Sequence, residues 1–243
     1  MPIGGKRLRG HDLPEPTDRS IGLLFMVGSA LFGVGSFPIA NRWDPRIDAA
    51  AYAVGAVFFT VAATLQFLQS LAPPRPAAAP RSDVAPRPDV AAPAGAPELP
   101  RLRLVEQLAC GIQLVGTLWF NVMTIDALVT NLTAREAERR IWYPDAFGSV
   151  CFLVASYLAM AAVGGSWRLR LRGPHDLEGR IAELNWWGSI AFGISALGGI
   201  ILPSGQDLDY AVATVGTFVG AICFFLGARL MLPRVRRRSK LPA

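Results

Sequence analysis

Apolar residues are gathered along this chain into six blocks of about twenty residues, which polar or proline-bearing stretches separate. The blocks cover residues 20–40, 48–71, 104–126, 145–164, 183–202 and 210–232. A helix needs about 20 mainly apolar residues to cross the roughly 30 Å hydrocarbon core of a bilayer. The pattern therefore predicts an all-α integral membrane protein that folds as a six-helix bundle.

Three of the blocks carry the same eleven-residue pattern. The segments are GAVFFTVAATL from Gly55, GSVCFLVASYL from Gly148 and GAICFFLGARL from Gly220. Each has Gly at its first position, Phe at its fifth and Ala or Gly at its eighth, and these positions share one face of a helix. Small residues on one face allow neighbouring helices in lipid to approach closely.

A second short pattern occurs in the block before each of these segments. It reads GSALFG, GIQLVG and GSIAFG, and we align the three on Gly28, Gly111 and Gly188. Two helices per unit then predict three repeated helical hairpins. The predicted helix-packing residues are Gly28, Gly33, Gly55, Ala62, Gly111, Gly116, Gly148, Ala155, Gly188, Gly193, Gly220 and Gly227.

The blocks divide the chain into seven segments. These are an N-terminal tail (1–17), a first membrane hairpin (18–71), a linker rich in Pro and Ala (72–100), a second hairpin (101–164), a connection (165–179), a third hairpin (180–233) and a basic tail (234–243). Pro and Ala cannot build a packed core, so the linker is predicted to be disordered.

The connections between the blocks alternate in charge. Eighteen Lys and Arg residues lie in or next to the two tails, the linker and the connection 165–179, against five in the other three connections. Because basic residues stay on the cytoplasmic side, we predict a multi-pass protein of the cell (inner) membrane with both termini cytoplasmic. The net charge of +6 then reflects topology and contact with anionic membrane lipids, and no nucleic-acid partner is expected.

The residues typical of cofactor or catalytic sites do not cluster. Cys110, Cys151 and Cys223 lie inside apolar blocks without a CxxC pair, and both histidines lie in predicted cytoplasmic segments. The pattern favours neither disulfides nor a zinc or haem site, so we predict no metal and no cofactor. It contains no nucleotide-binding loop, zinc-protease motif or credible Ser/His/Asp set, so we predict no enzyme activity and no catalytic residues.

Few ionisable groups lie at membrane depth, where such groups are the usual candidates for function. Glu106 and Glu183 lie about one turn inside the blocks, and Gln113 lies deeper. One interpretation is a polar path for an ion or small solute along these three residues. The other is a local ion pair of each glutamate with the arginine three residues before it, Arg103 or Arg180.

The repeated positions resemble those of the YrhK-like family, small bacterial membrane proteins built as one two-helix hairpin. The stretch GSALFGVGS (28–36) matches the first helix of that family, and FTVAA (59–63), FLVAS (152–156) and FFLGA (224–228) resemble its second. The family has no established activity, so the resemblance implies three tandem hairpins and no substrate.

Two functions are compatible with this pattern. The first is a non-enzymatic scaffold or accessory subunit that packs through its small-residue faces against a protein partner or a second copy. The second is a channel or small-solute transporter. The scaffold predicts a dry centre of Gly, Ala and Phe, whereas the transporter predicts a water-accessible cavity that reaches Gln113 or Glu106 and Glu183.

Overall fold

A computed structural model of the chain describes residues 17–37, 45–72, 98–129, 131–164 and 177–232, and these residues form six helices. In chain order they are α1 Asp18–Gly35, α2 Pro45–Leu71, α3 Glu98–Asp126, α4 Ala134–Gly164, α5 Leu177–Gly198 and α6 Tyr210–Met231. The described residues contain no strand beyond one isolated bridge, between Ile201 and Asp207. The all-α prediction is therefore confirmed.

Five of the six helices are long and apolar enough to cross a membrane, which identifies a membrane protein by length and composition. The exception is α5. It has 22 residues, as many as α6, but Glu183 and Asn185 lie in its first half and lower its hydropathy. Its composition alone therefore does not place a sixth span.

Polar side chains fix where several helices begin. Thr17 and Ser20 form a capping box at the start of α1, and Thr133 and Glu136 form another at the start of α4. At the start of α6 the carboxylate of Asp209 accepts a hydrogen bond from the backbone N–H of Val212, at 3.0 Å. These caps satisfy backbone N–H groups that have no partner within the helix.

The fourth helix begins earlier than its apolar block predicts, at Ala134 rather than near residue 145. Its first turns include a π-helical segment, Glu138–Trp142. The indole N–H of Trp142 donates to the backbone carbonyl of Ala196 in the last turn of α5, at 2.8 Å. A carbonyl at a helix C-terminus lacks a helical donor, so Trp142 both caps α5 and ties it to α4.

The six helices contact one another in a closed ring. Each helix packs on the next in chain order, from α1 to α6, and α6 packs back on α1. Successive helices run antiparallel, so the C-terminal ends of α1, α3 and α5 lie together with the N-terminal ends of α2, α4 and α6. We call this end of the molecule the loop end.

Several predicted boundaries differ from the observed ones. The third helix begins at Glu98, inside the predicted linker 72–100, and α5 begins at Leu177, inside the predicted connection 165–179. The fifth block was predicted over 183–202, but α5 ends at Gly198, and α1 ends at Gly35 rather than near residue 40. The predicted N-terminal tail up to residue 16, the linker over 73–97, the connection over 165–176 and the basic tail lie outside the described residues.

Candidate functional site: a phenylalanine core

A Gly-x-x-x-Phe motif occurs in each of the six helices. The pairs are Gly28 and Phe32, Gly55 and Phe59, Gly116 and Phe120, Gly148 and Phe152, Gly188 and Phe192, and Gly220 and Phe224. All six phenylalanines are buried, with at most 5% of the side chain exposed. We call these six residues the phenylalanine core.

The two motifs of each hairpin interlock. A Cβ atom added to Gly28 would stand 2.8 Å from the ring of Phe59, and one added to Gly55 would stand 2.8 Å from the ring of Phe32. The other two hairpins repeat this arrangement in the pairs Gly116 with Phe152, Gly148 with Phe120, Gly188 with Phe224 and Gly220 with Phe192, at 2.5–3.0 Å. A side chain at any of these glycines would therefore crowd or clash with a ring of the opposite helix.

The six rings form two stacked triangles around the axis of the ring of helices. Phe32, Phe120 and Phe192 come from α1, α3 and α5, and their centroids lie 5.8–6.4 Å apart. The second triangle comes from α2, α4 and α6, with centroids 5.5–6.4 Å apart. Within a hairpin the two rings are 5.1–5.5 Å apart. These separations are those of favourable aromatic pairs, and the centre of the molecule is therefore filled by rings.

The structure changes the predicted alignment of the second hairpin. Gly116, and not Gly111, takes the place that Gly28 and Gly188 occupy in the other hairpins, because Gly116 receives the ring of Phe152. Gly111 instead faces α2, where a Cβ atom would lie 3.3 Å from a ring atom of Phe67. The shift is five residues. A search for Gly-x-x-x-Phe rather than for paired glycines would have found the correct register.

The other predicted packing residues differ in how closely they are packed. Ala62 and Ala155 are buried. A Cβ atom on Gly193 would lie 3.2 Å from a side chain of α4, and one on Gly227 would lie 3.0 Å from a side chain of α5. Gly33 is loosely packed, since its nearest neighbour is a side chain of α6 at 4.0 Å. Most of the predicted small-residue faces therefore pack inside the chain.

Hydroxyl groups join α4 to α5 across the interface between two hairpins. The side-chain oxygens of Ser156 and Ser189 are 2.6 Å apart, and the Ser149 hydroxyl donates to the carbonyl of Phe192 at 3.4 Å. Between α2 and α3, the amide of Asn121 donates to the hydroxyl of Thr60. These contacts fit the usual role of polar residues in membrane helices, which is to hydrogen bond between helices.

The three residues of the predicted polar path do not meet. Glu106 is exposed and Gln113 is half-buried, both on α3, while Glu183 is half-buried on α5. In the ring of helices, α4 lies between α3 and α5. Gln113 precedes Gly116 by three residues, as Phe25 precedes Gly28, and Phe25 packs on Phe59 with centroids 5.6 Å apart. Gln113 therefore lies on the side of the phenylalanine core away from the loop end.

The alternative interpretation, local ion pairs at the helix starts, is not seen either. Arg103 donates to the backbone carbonyl of Ala72, beyond the end of α2. Gln107, one turn further along α3, donates to the carbonyl of Ser70 at 3.1 Å. Among the described residues no ion pair joins either arginine to its glutamate, for Arg180 and Glu183 as for Arg103 and Glu106. The α3 side chains instead cap the C-terminus of α2.

A polar group lies on the loop-end side of the phenylalanine core. The hydroxyl of Tyr52 hydrogen bonds to Ser36 and interacts electrostatically with Asp48, Asp145 and Tyr210. The ring of Tyr52 packs edge-on against Phe32, with centroids 5.3 Å apart. The sequence pattern does not predict that these side chains meet, because they come from α2, α4, α6 and the residue after α1, which are far apart in the chain.

The described residues offer few other candidates for a chemical site. Within the described ranges no three His, Cys, Asp or Glu side chains come close enough to hold a metal ion. The three cysteines are free thiols on α3, α4 and α6. Comparison with protein-family models, with curated proteins and with solved structures finds no match for this chain.

Proposed function

We propose that this chain is a non-enzymatic integral membrane protein that acts as a scaffold or accessory subunit. Six helices cross the membrane as three repeated hairpins, and both termini lie in the cytoplasm of a cell whose inner membrane holds the protein. The observation that carries the proposal is the phenylalanine core. Six buried rings from six helices meet at 5.1–6.4 Å and fill the axis along which a pore would run.

A transporter needs a path that water or a solute can enter. Such paths are lined by carbonyls or by polar or charged side chains, and sites for substrates lie near the bilayer midplane. In this chain the phenylalanine core fills the axis of the ring of helices, and the glutamates lie apart on α3 and α5. This arrangement supports a dry centre rather than a transport site.

The sixth crossing is part of the proposal. Helix α5 has 22 residues, which gives a length of about 33 Å and matches the roughly 30 Å hydrocarbon core. It packs between α4 and α6 and contributes Phe192 to the core. The alternation of basic residues along the connections supports a crossing by α5, because it assigns the two ends of this helix to opposite sides of the membrane.

The small residues that we expected to dock a partner pack mostly within the chain. A scaffold of this design would bind its partner through the aliphatic outer surface, through Gly33, or through the basic cytoplasmic segments. The resemblance to YrhK-like hairpins supports the same architecture, with three hairpins in one chain where that family has one.

Transport and scaffolding are separated by a flux measurement. The purified protein is reconstituted in liposomes that contain a pH-sensitive dye, and proton and potassium flux are compared with protein-free liposomes. The scaffold predicts no flux above that background. Flux that the combined substitutions Glu106→Gln, Gln113→Leu and Glu183→Gln abolish would establish the transport function instead.

The number of crossings is tested by labelling. In a variant whose three native cysteines are replaced by alanine, Ser204→Cys in the connection after α5 and Thr17→Cys before α1 are exposed in turn to a membrane-impermeant maleimide. The proposal predicts labelling of Ser204→Cys from outside intact cells and of Thr17→Cys only after lysis. Labelling of both from the same side would contradict six crossings.

A further inference from the structure

A groove runs along the outside of the ring between α4 and α5. It has a volume of about 400 Å³, and its walls include Trp142, Ala146, Leu153, Ile190 and Ile194. Its floor is formed by small residues, which are Ser149, Gly193 and Ala196. Ile194 is 49% exposed, so the groove opens on the outer surface of the helix ring and not toward its axis.

The length of the groove matches one leaflet of a bilayer. On α4 it extends from Trp142 to Leu153, which at 1.5 Å per residue is about 16 Å. The hydrocarbon core is about 30 Å thick, so one leaflet accounts for about half of it. A partner helix would need a groove across both leaflets, whereas a single acyl chain fits this one.

Charged side chains precede the groove on α4, on the loop-end side of Trp142. Trp142 is held there by its hydrogen bond to Ala196 at 2.8 Å, and tryptophan favours the level of the head groups. Arg140 is occupied by Asp126, with Nη2 and Oδ1 2.8 Å apart. Arg139, three residues before Trp142, is exposed and has no hydrogen bond or ion pair to another described residue. It is a cation free to bind phosphate.

A second groove of similar size provides the contrast. It lies on the outer surface of α5 and α6, has a volume of about 450 Å³ and is lined by Ala211, Val215 and Val219. Its lining includes the carboxylate of Asp209, whereas the first groove is preceded on α4 by Arg139, three residues before Trp142. A phosphate group would be repelled there, so the two grooves differ in charge and not in apolar capacity.

We propose that the groove between α4 and α5 binds one glycerophospholipid of the adjacent leaflet. Its acyl chain lies between Trp142 and Leu153, and its phosphate is bound by Arg139. The proposal rests on the proposed crossing of α5, since the groove must face lipid, but it does not depend on the scaffold role.

The test uses the full-length protein, purified in detergent and stripped of lipid by extensive washing. Phosphatidylglycerol is added back, and bound lipid is counted by native mass spectrometry; diacylglycerol, which lacks the phosphate, is the matched lipid. The groove variant is Ala146→Leu, the phosphate variant is Arg139→Gln, and the controls are Glu138→Gln beside it and Ala211→Leu in the second groove. Circular dichroism and the labelling of Ser204→Cys report separately on folding and on the crossing of α5.

The expected result is one tightly bound phosphatidylglycerol per chain and markedly weaker binding of diacylglycerol. Ala146→Leu should lower occupancy about five-fold and Arg139→Gln about three-fold, while Glu138→Gln and Ala211→Leu leave it unchanged or raise it. The proposal is overturned if no phosphatidylglycerol is retained, or if Arg139→Gln and Ala211→Leu have equal effects. Should Ala146→Leu fail to fold, the comparison of Arg139→Gln with Glu138→Gln still decides.

Discussion

At the scale of single residues, a glycine on one helix and a phenylalanine on the next act as a unit. The ring occupies the space where a Cβ atom of the glycine would stand, at 2.5–3.0 Å. Lipid tails are as apolar as phenylalanine, so moving the ring from lipid into the protein gives little hydrophobic free energy. Close packing therefore supplies most of the stability. Truncation of the phenylalanine should therefore lower stability through lost packing, and substitution of the glycine should lower it through a clash.

Phe152 is the residue whose truncation should cost most. It is 1% exposed and contacts four other rings of the core. Phe152→Ala is expected to leave a cavity and to lower the free energy of unfolding by about 3 kcal/mol. Phe147→Ala is the matched control, because Phe147 on the same helix is 53% exposed. The two are compared by equilibrium unfolding in mixed micelles, and equal losses would contradict the central position of the core.

Two glycines predict opposite responses to the same substitution. A Cβ atom on Gly220 would stand 2.5 Å from the ring of Phe192, whereas the nearest atom to one on Gly33 is 4.0 Å away. Gly220→Ala should therefore lower stability by about 1–3 kcal/mol through overpacking. Gly33→Ala should raise it by about 0.5–1 kcal/mol, because alanine favours the helix. Melting temperatures measured in one detergent check both, and a loss at Gly33 would show that its surface is more crowded than the structure has it.

Which glycines matter could be predicted only in part from the sequence. Gly55, Gly148 and Gly220 were aligned correctly because the eleven residues that follow them share a pattern. Gly116 was placed five residues out of register, because glycines are frequent in these helices and Gly111 offered an equally good pair. The tight or loose packing of Gly33 depends on a neighbouring helix, which no local pattern specifies.

At the scale of helices, the sequence predicted their existence better than their ends. Apolar blocks report the length that lipid surrounds, but α4 continues as a helix through the polar residues 134–142. There a capping box and the hydrogen bond from Trp142 stabilise turns that hydropathy does not detect. Hydropathy also underestimates α5, because Glu183 and Asn185 lower the hydropathy of a helix that packs in the ring of helices.

The stability of the protein should depend on pH through Asp207, in the connection between α5 and α6. This carboxyl is partly buried, and desolvation raises its pKa above the usual value, which is about 3.9 in an unfolded chain. Ionisation therefore favours the unfolded state, and stability should increase as the pH falls through the folded pKa. Asp207→Asn should raise the melting temperature at pH 7, and its advantage over the wild type should shrink as the pH approaches 4.

The control for this prediction is Asp209→Asn, two residues further on. Asp209 caps α6 through the N–H of Val212, and asparagine is an equally good cap, so only a small change is expected at either pH. If the advantage of Asp207→Asn over the wild type grew on acidification, the sign of the pKa shift would be wrong.

At the scale of the whole molecule, the sequence did not predict that the six helices close into a ring. Three similar hairpins can pack side by side in a line or around an axis, and the pattern of small residues within each hairpin is the same for both. The choice is made where hairpins meet: Ser156 on Ser189, Asn121 on Thr60, and α6 on α1. These contacts join residues at least 33 positions apart, so no local sequence pattern predicts them.

Closure of the ring predicts a specific disulfide between the first and last helices. A Cβ atom on Gly33 would stand 4.0 Å from the Cβ atom of Ala221, within the 3.5–4.5 Å range that disulfides use. In the variant without native cysteines, Gly33→Cys with Ala221→Cys should cross-link on mild oxidation and migrate as a compact monomer. Gly33→Cys with Ile222→Cys should not, because the Ile222 side chain is 42% exposed on the outer face. If the hairpins packed in a line, α1 and α6 would be far apart. The ring would be excluded if Gly33→Cys with Ala221→Cys did not cross-link while a cysteine pair within one hairpin oxidised efficiently.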